Sequence, residues 1–409
     1  MKYAVVGLGP AGAQAVTAIR ERDPDGEITV FAEEPFYFRA ALPHYVLGHI
    51  GRDDLAGFPE GHLARIGVHR VAVRATHVDP DGKTVATAEG EYPFDRLLLA
   101  AGTGPRRPRF PGAELPEVLS LATLEDADAL AAIAAGGGRA VVVGGRLRGL
   151  SLCHLARRMG LAVTLLVPEA AVGMPQLDPR ASQLVYRRLS EDGVVVRLWV
   201  DVAAVEAAHG RVAAVTTTSG KVIACSWVAM GRDGTPRAEL GAAIGAGIGA
   251  IPVNERMETG TEGIYAAGDL CRVWDTTRGD HREAPGWMSA SLMGRVAGAN
   301  MAGGEEAYRV DHYHHAGVAY DLPLTLIGRL DDPGDAEVSS APNAEGYRRL
   351  VFRDGKIIAA TVLGDRRHAT VIRRAVELEV NVKGHELQLL RTDVDLNRLL
   401  RPSGEYHLY

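Results

Sequence analysis

The sequence has little cysteine. Its 409 residues hold three, Cys153, Cys225 and Cys271, too far apart for any CxxC pair, and an odd number argues against a secreted disulfide framework. A reducing cytoplasm is the expected setting. Aromatic residues make up only 6%, and charge of one sign is lacking: Lys+Arg 45 against Asp+Glu 51 gives a net charge of -6, which excludes the basic footprint of a nucleic-acid binder. Long apolar runs are missing too. The longest, residues 241–253, is glycine-rich and well short of the roughly 18 residues a membrane helix needs, so no span is expected. The opening Met1-Lys2-Tyr3-Ala-Val-Val-Gly7 imitates a signal peptide, but the glycines that follow stand at turn spacing and read as part of a folded domain.

Glycine, by contrast, is plentiful. There are 48 against 21 prolines, which points to many tight strand-to-helix turns in an α/β protein. With 46% hydrophobic and 23% charged residues the chain is globular, and at roughly 100–200 residues per domain it should form about two to four compact units. Residues 3–6 predict a buried parallel strand, and Gly7-Leu8-Gly9-Pro10-Ala11-Gly12 turns from it into a helix. This is GxGxxG in its required context. Gly7 permits the sharp turn, Gly9 lets the backbone approach a pyrophosphate, and Gly12 brings the helix close to the strand. A second strand at 27–31 ends just before Glu33 and Glu34. Glu33 lies about 20 residues past the last glycine, where an acid takes the adenosine ribose hydroxyls. The motif specifies a dinucleotide without choosing between FAD and NAD.

Two later segments make that choice. Thr261-Glu-Gly-Ile-Tyr-Ala-Ala-Gly268-Asp269 reads as a strand stopping at an aspartate, and Tyr92-Pro-Phe-Asp-Arg-Leu-Leu-Leu-Ala-Ala101-Gly102-Thr103 ends in a similar turn. With the first motif, and in the same order, these resemble the FAD fingerprints of the pyridine nucleotide-disulfide oxidoreductase family, the two-dinucleotide-domain flavoprotein reductases. The resemblance runs over essentially the whole chain. It implies FAD as cofactor, with Asp269 on the ribityl chain, Ala101 and Gly102 where the chain leaves the FAD domain, Ala75 in the same binding set and the Gly286-Trp287 turn beside the flavin.

Thiols divide that family. Phe38-Arg39-Ala40-Ala41-Leu42-Pro43 resembles the segment that carries a redox cysteine in CoA-disulfide reductases and NADH oxidases, but Ala40 takes the cysteine's place and no cysteine precedes Cys153. A thiol-disulfide relay is therefore not expected. The wider run from Pro35 to His44 is more similar to the Y-x-R-P-x-L-S-K region of rubredoxin- and ferredoxin-reductase-like members and of nitrite reductase flavoproteins. That likeness implies Arg39 on the FAD phosphate and His44 in the lysine's place, where an imidazole could stabilise reduced flavin or relay a proton. A loop histidine without chemistry stays open beside that role. His312-Tyr-His-His315 has metal-binding residue types but no distant fourth ligand, so no metal is expected.

A second strand-turn-helix begins at residues 140–143 and turns through Gly144-Gly145-Arg146-Leu147-Arg148-Gly149. Gly144 and Gly149 keep the outer glycines, but Arg146 replaces the middle one, so its side chain must swing aside to grip the phosphates or fill their place. The next strand, 162–167, ends at Val167-Pro168 where the ribose acid belongs, and Glu169 comes two residues late. Whether NADH, NADPH or neither binds stays open. The expected fold is α/β: two Rossmann-like dinucleotide-binding domains, FAD-type from 1–108 and 245–307 and NAD(P)-type from 109–244, with a smaller C-terminal α+β interface domain at 308–409. Within these, a helix is expected at 289–301, strands at 322–328, 348–352 and 356–363 flank the hairpin signal Asp354-Gly355, and a helix follows at 369–379. The family implies an FAD-dependent oxidoreductase passing electrons between a donor, with NAD(P)H a candidate, and a small-molecule or protein carrier without a redox disulfide. The alternative is a flavoprotein subunit of a larger redox complex with a degenerate NAD(P)H site. A homodimer or such a complex is the expected assembly.

Overall fold

Parallel strands and the glycine turns that follow them organise the computed structural model, which describes residues 1–104, 108–134, 137–246, 249–340, 346–391 and 395–397. Internal contacts group Met1–Phe38, Ala56–Gly104 and Gly234–His315 into one unit, and Arg39–Leu55, Pro105–Asp233 and Ala316–Tyr409 into a second.

In the first unit, β1 (Lys2–Val6) leads into α1 (Pro10–Arg22), then β2 (Glu27–Phe31), β3 (Val68–Val71) and β4 (Arg96–Leu99). Tyr3, Ala4, Val5 and Val6 are all buried, as an unbroken apolar run covered on both faces must be. The sheet order is Ile264–Ala266, β4, β1, β2, β3, all parallel. Val6 lies opposite both Phe31 and Leu99, so three strand ends are level and their loops share one edge. Helix Trp287–Met301 starts two residues before the expected 289. It packs very closely on α1, since a Cβ at Gly294 would sit 2.0 Å from the Ala11 carbonyl oxygen and one at Gly298 2.3 Å from that of Ala15.

The second unit repeats the scheme with β5 (Val118–Leu119), β6 (Arg139–Val143), α2 (Leu147–Arg158), β7 (Ala162–Val167), β8 (Val195–Leu198) and β9 (Trp227–Met230). Its sheet runs β8, β7, β6, β9, β5, again parallel throughout. The later part of the chain builds an antiparallel sheet in which Leu322–Gly328, Lys356–Gly364, Gly346–Arg353 and Ala336–Ser339 are successive neighbours. Asp354 and Gly355 connect two of these strands with φ of 50° and 74°, the left-handed pair that a two-residue hairpin requires. Helix Ala369–Glu377 presses Val371, Ile372, Ala375 and Val376 into a core with Ile327, Leu350, Phe352 and Val362. It stops short of the expected 379 because Glu379 adopts φ 51°, which a helix cannot continue. Among the described residues, no helix is long and apolar enough to cross a membrane.

Candidate functional site

The turn after β1 is built for close backbone contact. Gly7 has φ 101°, and a Cβ there would lie 2.4 Å from the Ala100 carbonyl oxygen and 3.0 Å from the Ala101 amide nitrogen; at Gly12 it would lie 2.0 Å from the Gly7 carbonyl oxygen. Gly9 is the opposite case. Nothing stands within 4 Å of where its Cβ would be, so its side of the turn is open. Gly9 also caps α1 in an extended conformation with no side-chain cap, and Pro10 opens the helix. The first-turn amides are therefore not satisfied by a capping side chain, and together with the positive helix end they suit a diphosphate. These residues fit the dinucleotide that the sequence implies.

The other elements of this edge converge on the same turn. The Gly7 amide donates to the Phe31 carbonyl at the end of β2, bringing Glu33 and Glu34 alongside. The two acids differ: the Tyr37 hydroxyl donates to Glu34 Oε1 at 3.2 Å, whereas Glu33 is exposed and only its carbonyl is engaged, by Arg70 at 2.8 Å. Gly102 follows β4 with φ 65°, and its carbonyl accepts from the Arg237 amide. Past the strand Ile264–Ala266, a Cβ on Gly268 would meet the Ala11 side chain at 3.3 Å. Asp269 Oδ1 accepts from the Gly286 amide at 3.0 Å, which holds the turn into Trp287. That indole stacks on Phe36 and Phe38, with ring centroids 5.6 and 5.3 Å away. The sequence reading named Trp287 without its two ring partners, whose signal is the clustered Phe36-Tyr-Phe38 in a chain poor in aromatics.

Three further expected residues have these surroundings. Ala75 is buried at the start of strand Ala75–Asp79 and pairs with Thr87. Arg39 and His44 belong to the second unit. There Arg39 donates to the Ala122 carbonyl at 2.7 Å, and His44 sits on the short helix Leu42–Val46 with its ring 5.9 Å from that of His49. On the same helix the Tyr45 hydroxyl donates to Asp128 at 2.7 Å.

No thiol is in a redox-ready environment. All three cysteines are free and buried. Burial pushes the Cys271 thiol up to about 12 and that of Cys225 up to about 11, and raises Cys153 further still. A nucleophilic thiolate is not available from any of them near neutral pH.

The turn after β6 keeps the frame of the first and changes its centre. A Cβ on Gly149 would lie 1.8 Å from the Gly144 carbonyl oxygen, and one on Gly145 would lie 2.6 Å from Val167. Arg146 caps α2 in an extended conformation, without a side-chain cap. Its guanidinium pairs with Asp233 at 2.6 Å, a partner 87 residues away that the sequence did not suggest. Asp233 follows β9, which flanks β6 on the side opposite β7. Arg146 is therefore tied to the β9 side of the turn.

The comparisons with known proteins agree with this geometry. The model of the family described as pyridine nucleotide-disulphide oxidoreductase matches residues 1–294. The chain is 31% identical over 324 residues to the NADH oxidase of Methanocaldococcus jannaschii, covering 75% of this chain and 71% of that protein. It is 28% identical over 388 residues to the anthranilate 1,2-dioxygenase system ferredoxin–NAD(+) reductase component of Burkholderia cepacia, covering 91% and 93%. The crystal structure of the ferredoxin reductase for the CYP199A2 system of Rhodopseudomonas palustris has the same fold, with a TM-score of 0.86 at 23% identity over 97% of this chain and 99% of that one. The chain belongs to the pyridine nucleotide-disulphide oxidoreductase family and is an FAD-dependent oxidoreductase of it.

Proposed function

We propose that this protein takes electrons from NADH or NADPH and delivers them to a small iron-sulfur or rubredoxin-type carrier protein, in a reducing, cytoplasmic setting. The observation that carries the reading is the pair of glycine turns of one design, each closing a parallel sheet, in a chain whose cysteines are all buried. When bound, FAD supplies two-electron acceptance and one-electron release. One nicotinamide donor then reduces two carriers. The chain's own residues bind and orient: the open backbone at Gly9 and the first turn of α1 for the FAD diphosphate, Glu33 for the adenosine ribose, Asp269 for the ribityl hydroxyls, and Ala75, Ala101, Gly102 and Trp287 lining the remainder.

For the donor, Gly144 and Gly149 shape the second turn. The Arg146–Asp233 pair supports a turn whose long side chain stands aside from the phosphates. Arg39 is assigned to the FAD phosphate by family likeness, and His44 to stabilising reduced flavin. A His44→Leu variant with an unchanged flavin midpoint potential would remove the latter role. The domains of this reading are 1–108 with 245–307 for FAD, 109–244 for the donor and 308–409 for an interface, in a homodimer or a larger complex.

Anaerobic mixing with NADH and NADPH tests the core of it. Flavin bleaching by at least one of them, followed by reoxidation with ferredoxin or rubredoxin, is the expected result. Purified folded protein without flavin absorbance, or flavin that neither donor bleaches, would refute it.

A further inference from the structure

We infer that Trp199 is the adenine-stacking platform of the donor site and takes over the anchoring that the missing ribose acid supplies elsewhere. The inference deepens the proposed use of a nicotinamide dinucleotide and depends on it. Dinucleotides lie outside the carboxyl ends of parallel strands, and the adenosine ribose falls at the end of the second strand of the unit. Here that strand is β7, and its end offers Val167 in place of an acid. The adenine, one glycosidic bond from the ribose, falls beside that position, at the edge shared by β7 and β8. Val167 pairs with Leu198, and Trp199 is the next residue.

Three observations single out this indole. It is 73% exposed, the highest value for any large apolar side chain among the described residues, at a point where an ordinary turn would carry a polar residue. Its backbone is left-handed, φ 59°, an uncommon conformation for a bulky aromatic residue, and such outliers concentrate at binding sites. The neighbouring chain holds it there: the Trp199 amide donates to the Glu169 carbonyl at 3.3 Å and the Val200 amide to that of Val167 at 3.1 Å. These bonds tie the backbone that carries Trp199 to the loop of the exposed, late-coming Glu169. An exposed indole beside the ribose position offers a purine a face to stack on, and such stacking tolerates the absence of a charged anchor.

The test is calorimetric titration of the FAD-loaded protein with NAD+, with AMP, which carries only the adenosine half, and with nicotinamide mononucleotide, which lacks it. Trp199→Ala should weaken NAD+ and AMP about tenfold to a hundredfold and leave the mononucleotide unchanged. Trp199→Phe should retain most of the affinity. Trp199→Gly should lose it while keeping or raising the thermal midpoint, because glycine suits the left-handed backbone; a merely structural tryptophan would lower the midpoint instead. Unchanged NAD+ and AMP binding in Trp199→Ala, or an equal loss for the mononucleotide, would overturn the inference alone. Wild-type protein that binds neither NAD+ nor NADH would overturn it together with the nicotinamide reading.

Discussion

Asp269 joins two tasks in one side chain: Oδ1 accepts from the Gly286 amide at 3.0 Å, and the carboxylate is assigned to the ribityl chain. Asp269→Ala should therefore loosen the turn into Trp287 and leave a buried cofactor hydroxyl unpaired. FAD retention should fall roughly tenfold to a hundredfold, read from flavin fluorescence after gel filtration. The cysteines provide a second test at this scale. Burial disfavours the thiolate, so Cys271 near 12 and Cys225 near 11, with Cys153 raised further, should resist a disulfide reagent at pH 8 in the folded protein. All three should react once it is denatured. Rapid titration of even one in the native state would contradict their burial. Glycines were the most legible residues, because their role follows from local backbone sterics. Asp233 was not legible, because its tie to Arg146 spans 87 residues and exists only after β6 and β9 lie side by side.

Between elements, the contact of α1 with helix Trp287–Met301 leaves no room for added volume. Gly294→Ala would drive a methyl group to within 2.0 Å of the Ala11 carbonyl oxygen, and overpacking of this kind costs about 1–3 kcal/mol. The thermal midpoint should drop and FAD should leak. The same substitution at Gly9, where nothing lies within 4 Å, should spare stability and impair FAD binding. The second turn makes a prediction with two signs. Asp233→Asn releases Arg146 for the donor's diphosphate and should tighten NADH binding, whereas Arg146→Gly leaves the Asp233 carboxylate uncompensated near it and should weaken binding. Because the pair is about half exposed, solvent screening limits each change to about tenfold or less. Calorimetry on both variants measures it, and shifts in the same direction would separate Arg146 from the donor site.

For the whole molecule, the absence of a thiol relay has a direct consequence. NADH-driven reduction of an artificial acceptor such as ferricyanide should survive prolonged iodoacetamide treatment in the native state, because no step needs a thiolate. Inactivation that tracks alkylation of one cysteine would show a thiol in the electron path. The net charge of -6 is slight, so recognition of the proposed carrier is expected to use a local patch.

The sequence by itself determined the strand-turn-helix at residues 3–20, the second one after residue 139, the Asp354-Gly355 hairpin and the lack of a redox disulfide. These are local matters: periodicity of apolar residues, glycine sterics, and the presence or absence of a residue type. Element ends were less legible, as Glu379 and Trp287 show, since a left-handed backbone or a preceding hydrogen-bonded turn decides where a helix stops or starts. Only the tertiary structure separated Glu33 from Glu34, by placing the Tyr37 hydroxyl on one of them. It also turned Arg146 towards Asp233, stacked Phe36 and Phe38 on Trp287, and set Trp199 beside Val167 at the edge of a sheet. Apart from the Tyr37–Glu34 contact, which spans three residues, those outcomes depend on which distant segments become neighbours, and that is decided by burial of the whole apolar surface at once, a property no short stretch of sequence contains.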